Sequence, residues 1–238
     1  MTGPLRLLLA SASPARLATL RSAGVDPLVR VSGVDEDAAV RDAESRYGPL
    51  EPADVALDLA RAKAEAVAAA ITAEAGERTH DSMAGAGAGA GAVGGLAADL
   101  VVGCDSVLEF DGRAHGKPAS PQEAVDRWRA MSGATGVLHS GHWLIDLRPP
   151  DEGGSAATLG ATGSTVVHFG RLSDAEIDAY VATGEPLHVA GAFTVDGLGG
   201  PYIDAIEGDF HNVVGISLPL LRGLLAQIGL PWHALTGS

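Results

Sequence analysis

Short apolar runs alternate along the chain with stretches whose apolar residues recur at helical spacing. Leu5-Arg6-Leu7-Leu8-Leu9-Ala10 predicts a buried strand, and Leu28-Val29-Arg30-Val31 a second. The run Leu100 to Leu108 predicts a third, with Asp105 where its first apolar stretch ends; a further short run closes at Phe110 before the turn Asp111-Gly112. Val137 to Leu147 and Thr162 to Phe169 predict paired strands joined by a flexible connection over 149–160, and Ile203 to Ile206 a last short strand. Helix starts are marked by their caps: Ser13 with Pro14, Ser120 with Pro121, the capping box Ser173-Asp174-Ala175-Glu176, and Ser217 with Pro219. A long Ala-rich helix runs from Glu51-Pro52-Ala53-Asp54 to about Glu74.

Residues 79–98 break this pattern. Their Ala-Gly alternation, almost uncharged after Asp81, neither packs a core nor fixes a conformation, so they read as a disordered surface insertion in a single domain of 238 residues. Lys plus Arg number 16 against 30 Asp plus Glu, a formal net charge of -14 that repels nucleic-acid backbone and argues against polymer binding. A small phosphorylated substrate remains open, because a few basic side chains and a divalent metal in a cleft suffice to hold one. The single Cys104 excludes an intramolecular disulfide and suits a reducing compartment; inside its apolar run it reads as a small buried hydrophobe. No apolar run reaches membrane-spanning length and Leu5 to Ala10 is too short for a signal peptide, so the expected location is the cytoplasm.

Several stretches carry candidate chemistry, and each has two open readings. In open α/β sheets ligands bind beyond the carboxyl ends of strands, which makes Asp105 a candidate catalytic base; a carboxylate that only closes a turn is the alternative. Ser11-Ala12-Ser13-Pro14-Ala15-Arg16 offers a helix N-terminus, hydroxyl donors and a planar cation, the parts of a phosphate site or of an ordinary capped helix. Asp35-Glu36-Asp37 reads either as oxygen ligands for a divalent cation or as a solvated loop. Gly116-Lys117-Pro118 holds a lysine in backbone that continues neither helix nor strand, toward a ligand or toward solvent. Lys63, taken alone, is a solvated helix charge. His139, His142 and His168 lack metal-ligand spacing and read as strand or surface residues.

Nine motifs occur in order: Leu9-Ala10-Ser11-Ala12-Ser13-Pro14-Ala15-Arg16, Val34-Asp35-Glu36, Leu59-Ala60-Arg61-Ala62-Lys63-Ala64, Gly103-Cys104-Asp105-Ser106, Gly116-Lys117-Pro118, Met131-Ser132-Gly133, Tyr180 to Pro186, Ala190-Gly191-Ala192-Phe193, and Gly208 to Gly215. This series resembles the Maf family of nucleoside triphosphate pyrophosphatases, and it covers nearly the whole chain apart from 79–98 and 149–160. The resemblance implies hydrolysis of a nucleoside triphosphate between its α and β phosphates, giving the monophosphate and pyrophosphate with Mg²⁺ or Mn²⁺. It also implies a mixed, twisted α/β sheet with flanking helices and two lobes around a cleft, similar to inosine triphosphate pyrophosphatases, often as a homodimer.

By position, the resemblance makes Asp105 the proton acceptor, places Ser11, Arg16, Lys63 and Lys117 on the triphosphate, and assigns Glu36 with Asp105 to the metal. Ala15, Ser106 and Asp196 fall where substrates are sorted. Relatives resembling dTTP and UTP pyrophosphatases carry Arg, Thr and Gln there, and those acting on methylated guanosine triphosphate an aromatic residue at the Ala15 position; this sequence fits neither pattern. His188-Val189 stands where many members have Asp-Lys, which removes one cation. The physical logic agrees with the assignment, since phosphoryl chemistry needs positioning and charge neutralisation, and a carboxylate one water away supplies the base. The competing reading is a non-catalytic nucleotide-binding regulator of cell division, which has no need of the base. A phosphatase of the haloacid dehalogenase type wants a second Asp two residues after Asp105, where this chain has Val107.

Overall fold

The computed structural model describes residues 4–84 and 98–236. Seven strands form one sheet: β1 (Leu7–Leu9), β2 (Leu28–Val29), β3 (Leu100–Phe110), β4 (Arg113–His115), β5 (Thr135–Asp146), β6 (Thr158–Phe169) and β7 (Ile203–Glu207). Their order is β2-β1-β3-β5-β6-β7, with β4 paired to β3. β1 runs parallel to β2 and β3 while all other pairs are antiparallel, so the sheet is mixed, as the resemblance implies. The flanking helices are α1 (Pro14–Ser22), α2 (Glu36–Tyr47), α3 (Pro52–Ala84), α4 (Pro121–Met131), α5 (Asp174–Ala182), α6 (Phe210–Val214) and α7 (Leu218–Gln227). No helix among the described residues is long and apolar enough to cross a membrane.

One detail of the pairing creates the site. β5 occupies one edge of β3 from Leu100↔Asp146 to Glu109↔Val137. The other edge is shared: β1 covers it up to Leu9↔Val102, and β4 resumes at Leu108↔His115. Between them, residues 103–107 of β3 face a gap rather than a strand.

Side chains alternate across β3. Leu100, Val102 and Cys104 join the core formed with Leu20 of α1 and Leu221, Leu224 and Leu225 of α7. Leu108, farther along the same face, belongs to a second core around Trp128 of α4, Phe169, and Tyr180 of α5. Along β5 the sequence of contacts repeats, with Leu138 in the second core, Leu144 in the first, and fully buried Ser140 and His142 between them. The two lobes therefore have separate apolar cores and meet across a polar band. On the opposite face Val101 and Val107 pack against α3.

The predicted caps form: Ser13, Ser120 and Ser217 each accept a backbone N–H of their helix, and Ser173 and Glu176 close a full capping box, about 1 kcal/mol apiece. Four expectations change. Strands β1 and β2 are shorter than the apolar runs that announce them. Asp35-Glu36-Asp37 is not a loop but the start of α2, with the Asp35 carboxylate accepting from Ala38 N at 2.9 Å. α3 continues past Glu74 to Ala84 and so takes in the beginning of the 79–98 segment; its residues 85–97 lie outside those described. The 149–160 connection is tied down: it contains a short helical turn at Pro150–Glu152, β6 begins within it at Thr158, and the Asp146 carboxylate accepts from Arg148 Nε and Nη2 and from Ser155 N and Oγ.

Candidate active site

Asp105 does not end its strand. β3 runs on to Phe110 because β5 pairs with it throughout and β4 takes over the other edge. It does lie just past the carboxyl end of β1, whose Ala10 N donates to Val102 O at 2.8 Å before the chain turns away at Ser11, so the rule for open sheets holds through the neighbouring strand. On the face carrying Asp105, α3 crosses directly over Gly103 and Gly141. A methyl group at either would run into the backbone carbonyl of Ala60 or Ala56. Ala56, Ala60 and Ala64, spaced by one helical turn, are fully buried at this crossing. The close approach brings Lys63 of α3 to the carboxylate.

Lys63 Nζ lies 3.0 Å from Asp105 Oδ1 and 2.7 Å from Glu36 Oε1 in the first turn of α2. Arg16 reaches into the gap from the first turn of α1. Its Nη1 donates to Ser11 Oγ at 2.9 Å and to Cys104 O at 2.8 Å, its Nε to Gly215 O at 2.8 Å, and its Nη2 to Ser106 Oγ at 3.1 Å. Nη2 is also 3.8 Å from Asp105 Oδ1. The carbonyl of Cys104, left without a strand partner, thus takes its hydrogen bond from an arginine. Ser140 Oγ donates to Asn212 O at 2.8 Å, so in its 2.7 Å contact with Ser106 it accepts, and Ser106 passes Arg16's hydrogen bond into the polar band. Burial alone would raise the Glu36 carboxyl, but the Lys63 hydrogen bond and charge, aided by Lys117 and Arg16, hold it below the ordinary range.

The structure brings Ser11, Arg16, Lys63, Asp105, Ser106 and Glu36 into one cluster, and the charge of Lys117 reaches it through Glu36. Ala15 adjoins the cluster as the residue before Arg16. Asp196 is exposed in a bend between Phe193 and the short helical turn at Gly200–Tyr202, with no hydrogen bond or ion pair to the cluster among the described residues. Cys104 is the buried hydrophobe expected of it; burial, reinforced by Asp105 and opposed by Arg16 and Lys63, pushes its thiol up to about 12. The histidines serve the sheet: His139 sits between Ser164 and Glu109, and His168 between Thr135 and Glu207. Reasoning from sequence missed Ser140, Asn212 and Gly215. Of these only Asn212 and Gly215 stood in a motif, and nothing in it announced hydrogen bonds to Ser140 and Arg16.

An open, mixed α/β sheet with two carboxylates, an arginine and a lysine at a break in one strand edge, and the charge of a second lysine acting on one of the carboxylates, defines a class, a hydrolase-like cleft built for a phosphorylated anion. The chain belongs to the Maf family: the family model described as Maf-like protein matches residues 6–228. It is similar to the protein named nucleoside triphosphate pyrophosphatase in Salinispora tropica, 50% identical over 228 residues, 96% of this chain and 86% of that one. A protein of the same name in Leifsonia xyli subsp. xyli is 50% identical over 232 residues, 97% of this chain and 96% of its own. A third, in Streptomyces coelicolor, is 50% identical over 224 residues, 94% and 91% of the two chains.

Proposed function

We propose that this chain is a metal-assisted nucleoside triphosphate pyrophosphatase with Asp105 as general base. The observation that carries the reading is the convergence of Lys63 on Asp105 and Glu36, beside Arg16, at the gap in the β3 edge. Water attacks the α-phosphorus, its proton goes to an Asp105 carboxylate oxygen, and the bond from that phosphorus to the α–β bridging oxygen breaks, releasing pyrophosphate and the monophosphate. The Ser11 hydroxyl, which accepts from Ser13 N and Arg16, keeps its own proton for a phosphate oxygen. Lys63 and Lys117 neutralise the polyphosphate. Ser106, through its bond to Arg16, and Ala15, beside Arg16, are the candidate specificity positions nearest this cluster, with Asp196 on a separate loop.

The donor set fits a hard divalent cation. Glu36 and Asp105 come from different elements yet meet one Lys63 Nζ, and Mg²⁺ or Mn²⁺ is commonly held by one or two carboxylates together with substrate phosphates. Among the described residues no larger group of His, Cys, Asp or Glu gathers, so phosphate and water would complete the shell. When bound, the ion would supply neutralisation of phosphate charge. Purified protein is expected to release pyrophosphate and monophosphate in equal amounts from a member of a panel of canonical and modified nucleoside triphosphates with Mg²⁺ or Mn²⁺, and to stop in EDTA. Asp105→Asn is expected to bind nucleotide while turnover drops about 10²–10⁴-fold. Near-wild-type turnover in that variant removes Asp105 from the role, and binding without turnover in the wild type favours a regulator instead.

A further inference from the structure

Lys117 has no hydrogen bond or ion pair among the described residues, and its side chain is exposed, yet its charge acts on Glu36. A lysine on a free turn would spread that charge over many positions. Its backbone is not free. The Gly116 carbonyl, one residue before it, accepts from Arg127 Nη1 at 2.6 Å and from Gly191 N at 3.1 Å. Two residues after it, Ala119 N donates to Glu123 Oε2 at 2.8 Å, and the other oxygen of that carboxylate takes Arg127 Nη2 at 2.6 Å. Pro118 between them is buried. The Arg127 side chain is only 7% exposed, a costly place for a guanidinium unless its fork is well used. Here one prong holds a loop carbonyl and the other the acid that holds the loop's far end. The next residue on α4, Trp128, donates Nε1 to Ala192 O at 2.7 Å and so fixes the segment that carries Gly191.

We propose that Arg127, bridged through Glu123, is a positioning residue that aims Lys117 into the cleft; this rests on the reading of Lys117 as a polyphosphate-binding cation. The test is a double-mutant cycle in pyrophosphate release, with Arg127→Gln, Lys117→Gln and the double variant, each first checked for a cooperative thermal transition. Arg127→Gln is expected to lower kcat/KM about tenfold in the wild-type background and by no more than about twofold once Lys117 is already Gln. Should Arg127→Gln fail to fold, Glu123→Ala, at a half-exposed position, releases Ala119 N and the second prong of Arg127, leaving only its bond to Gly116 O, and is expected to show the same non-additivity. Additive losses, or a clamp variant that keeps full activity while Lys117→Gln loses it, overturn the proposal. If Lys117→Gln itself has no effect, it is the assignment of Lys117 that fails, and the clamp proposal falls with it while the general-base assignment stands.

Discussion

Arg16 carries five N–H groups, and the chain itself takes four of them, through Gly215 O, Ser11 Oγ, Cys104 O and Ser106 Oγ. At most one remains for a ligand, so Arg16 cannot grip a phosphate with two prongs. Its weight lies in holding the loop after β1, the open edge of β3 and the C-cap of α6 together, with its charge beside Asp105. His142, two residues along β5 from Ser140, shows the same economy. Its Nδ1–H donates to Ser140 O at 2.9 Å and its Nε2 accepts from Ser217 N at 2.8 Å, a pattern only the neutral ring satisfies. Burial, with Arg16 nearby, drives its pKa from 6.5 down to about 4 despite the Ser140 bond. Between those values the unfolded chain binds a proton that the folded chain refuses. Stability present above pH 6.5 is therefore lost as pH falls toward 4, by about 3 kcal/mol, and not further below it. His142→Gln is expected to cost stability at pH 7, with the gap to wild type closing as pH falls through this window. Urea unfolding across a pH series checks it, and a gap that stays constant would exclude His142 as the source.

At the scale of elements, the site depends on how near α3 comes to the sheet. Gly103 allows the contact, and Gly103→Ala is expected to destabilise by about 1–3 kcal/mol, since no neighbouring rotamer can yield to a clash with the Ala60 carbonyl. Because the helix carrying Lys63 must move, kcat/KM should fall even at temperatures where the variant is fully folded; unchanged kinetics in a destabilised variant would separate the glycine from the site. Elements of this kind were legible in proportion to their own signals. Capped, amphipathic α4 and the Asp111-Gly112 hairpin turn, whose residues both have positive φ, were plain in the sequence. α2 was not, because Ala43 is its only buried residue and its acidic first turn looks like a solvated loop. The first residues of β6 were missed for a different reason: Leu159 and Ala161 face the core, but beside Gly160 and with Ala161 so small their alternation is a weak signal, and they are strand because β5 offers a full-length partner. Asp105 and Glu36 were visible in the sequence as candidates, each with a bland alternative, and Lys63 only through a family motif, since that these residues of β3, α2 and α3 meet is a matter of tertiary packing. Two of the four acceptors that hold Arg16 are backbone carbonyls, which have no residue signature at all.

For the whole molecule the question is how a chain of net charge -14 holds a polyanion. Locally, Arg16, Lys63 and Lys117 stand against Asp105 and Glu36, so the cluster is formally only one charge positive. Beyond about 8 Å the remaining acidic surface is screened at physiological ionic strength, and within that distance one surplus charge is small beside a triphosphate. Glu36 and Asp105 would hold a divalent ion there, which would supply positive charge to the local balance and leave Lys63 able to face the substrate. Ligand and ion should then stabilise the fold together, because Ser11 and Arg16 belong to the lobe of α1 and α7, Lys117 is held by α4 of the other, and a nucleotide held by all three would span both. With an analogue that cannot be cleaved between its α and β phosphates, at a hundredfold its Kd in Mg²⁺, unfolding should cost about 2.7 kcal/mol more. At the same analogue concentration in EDTA most of that gain should vanish. An equal thermal shift with and without the metal would mean that the three basic side chains suffice, and the charge argument for a shared ion would have to be given up.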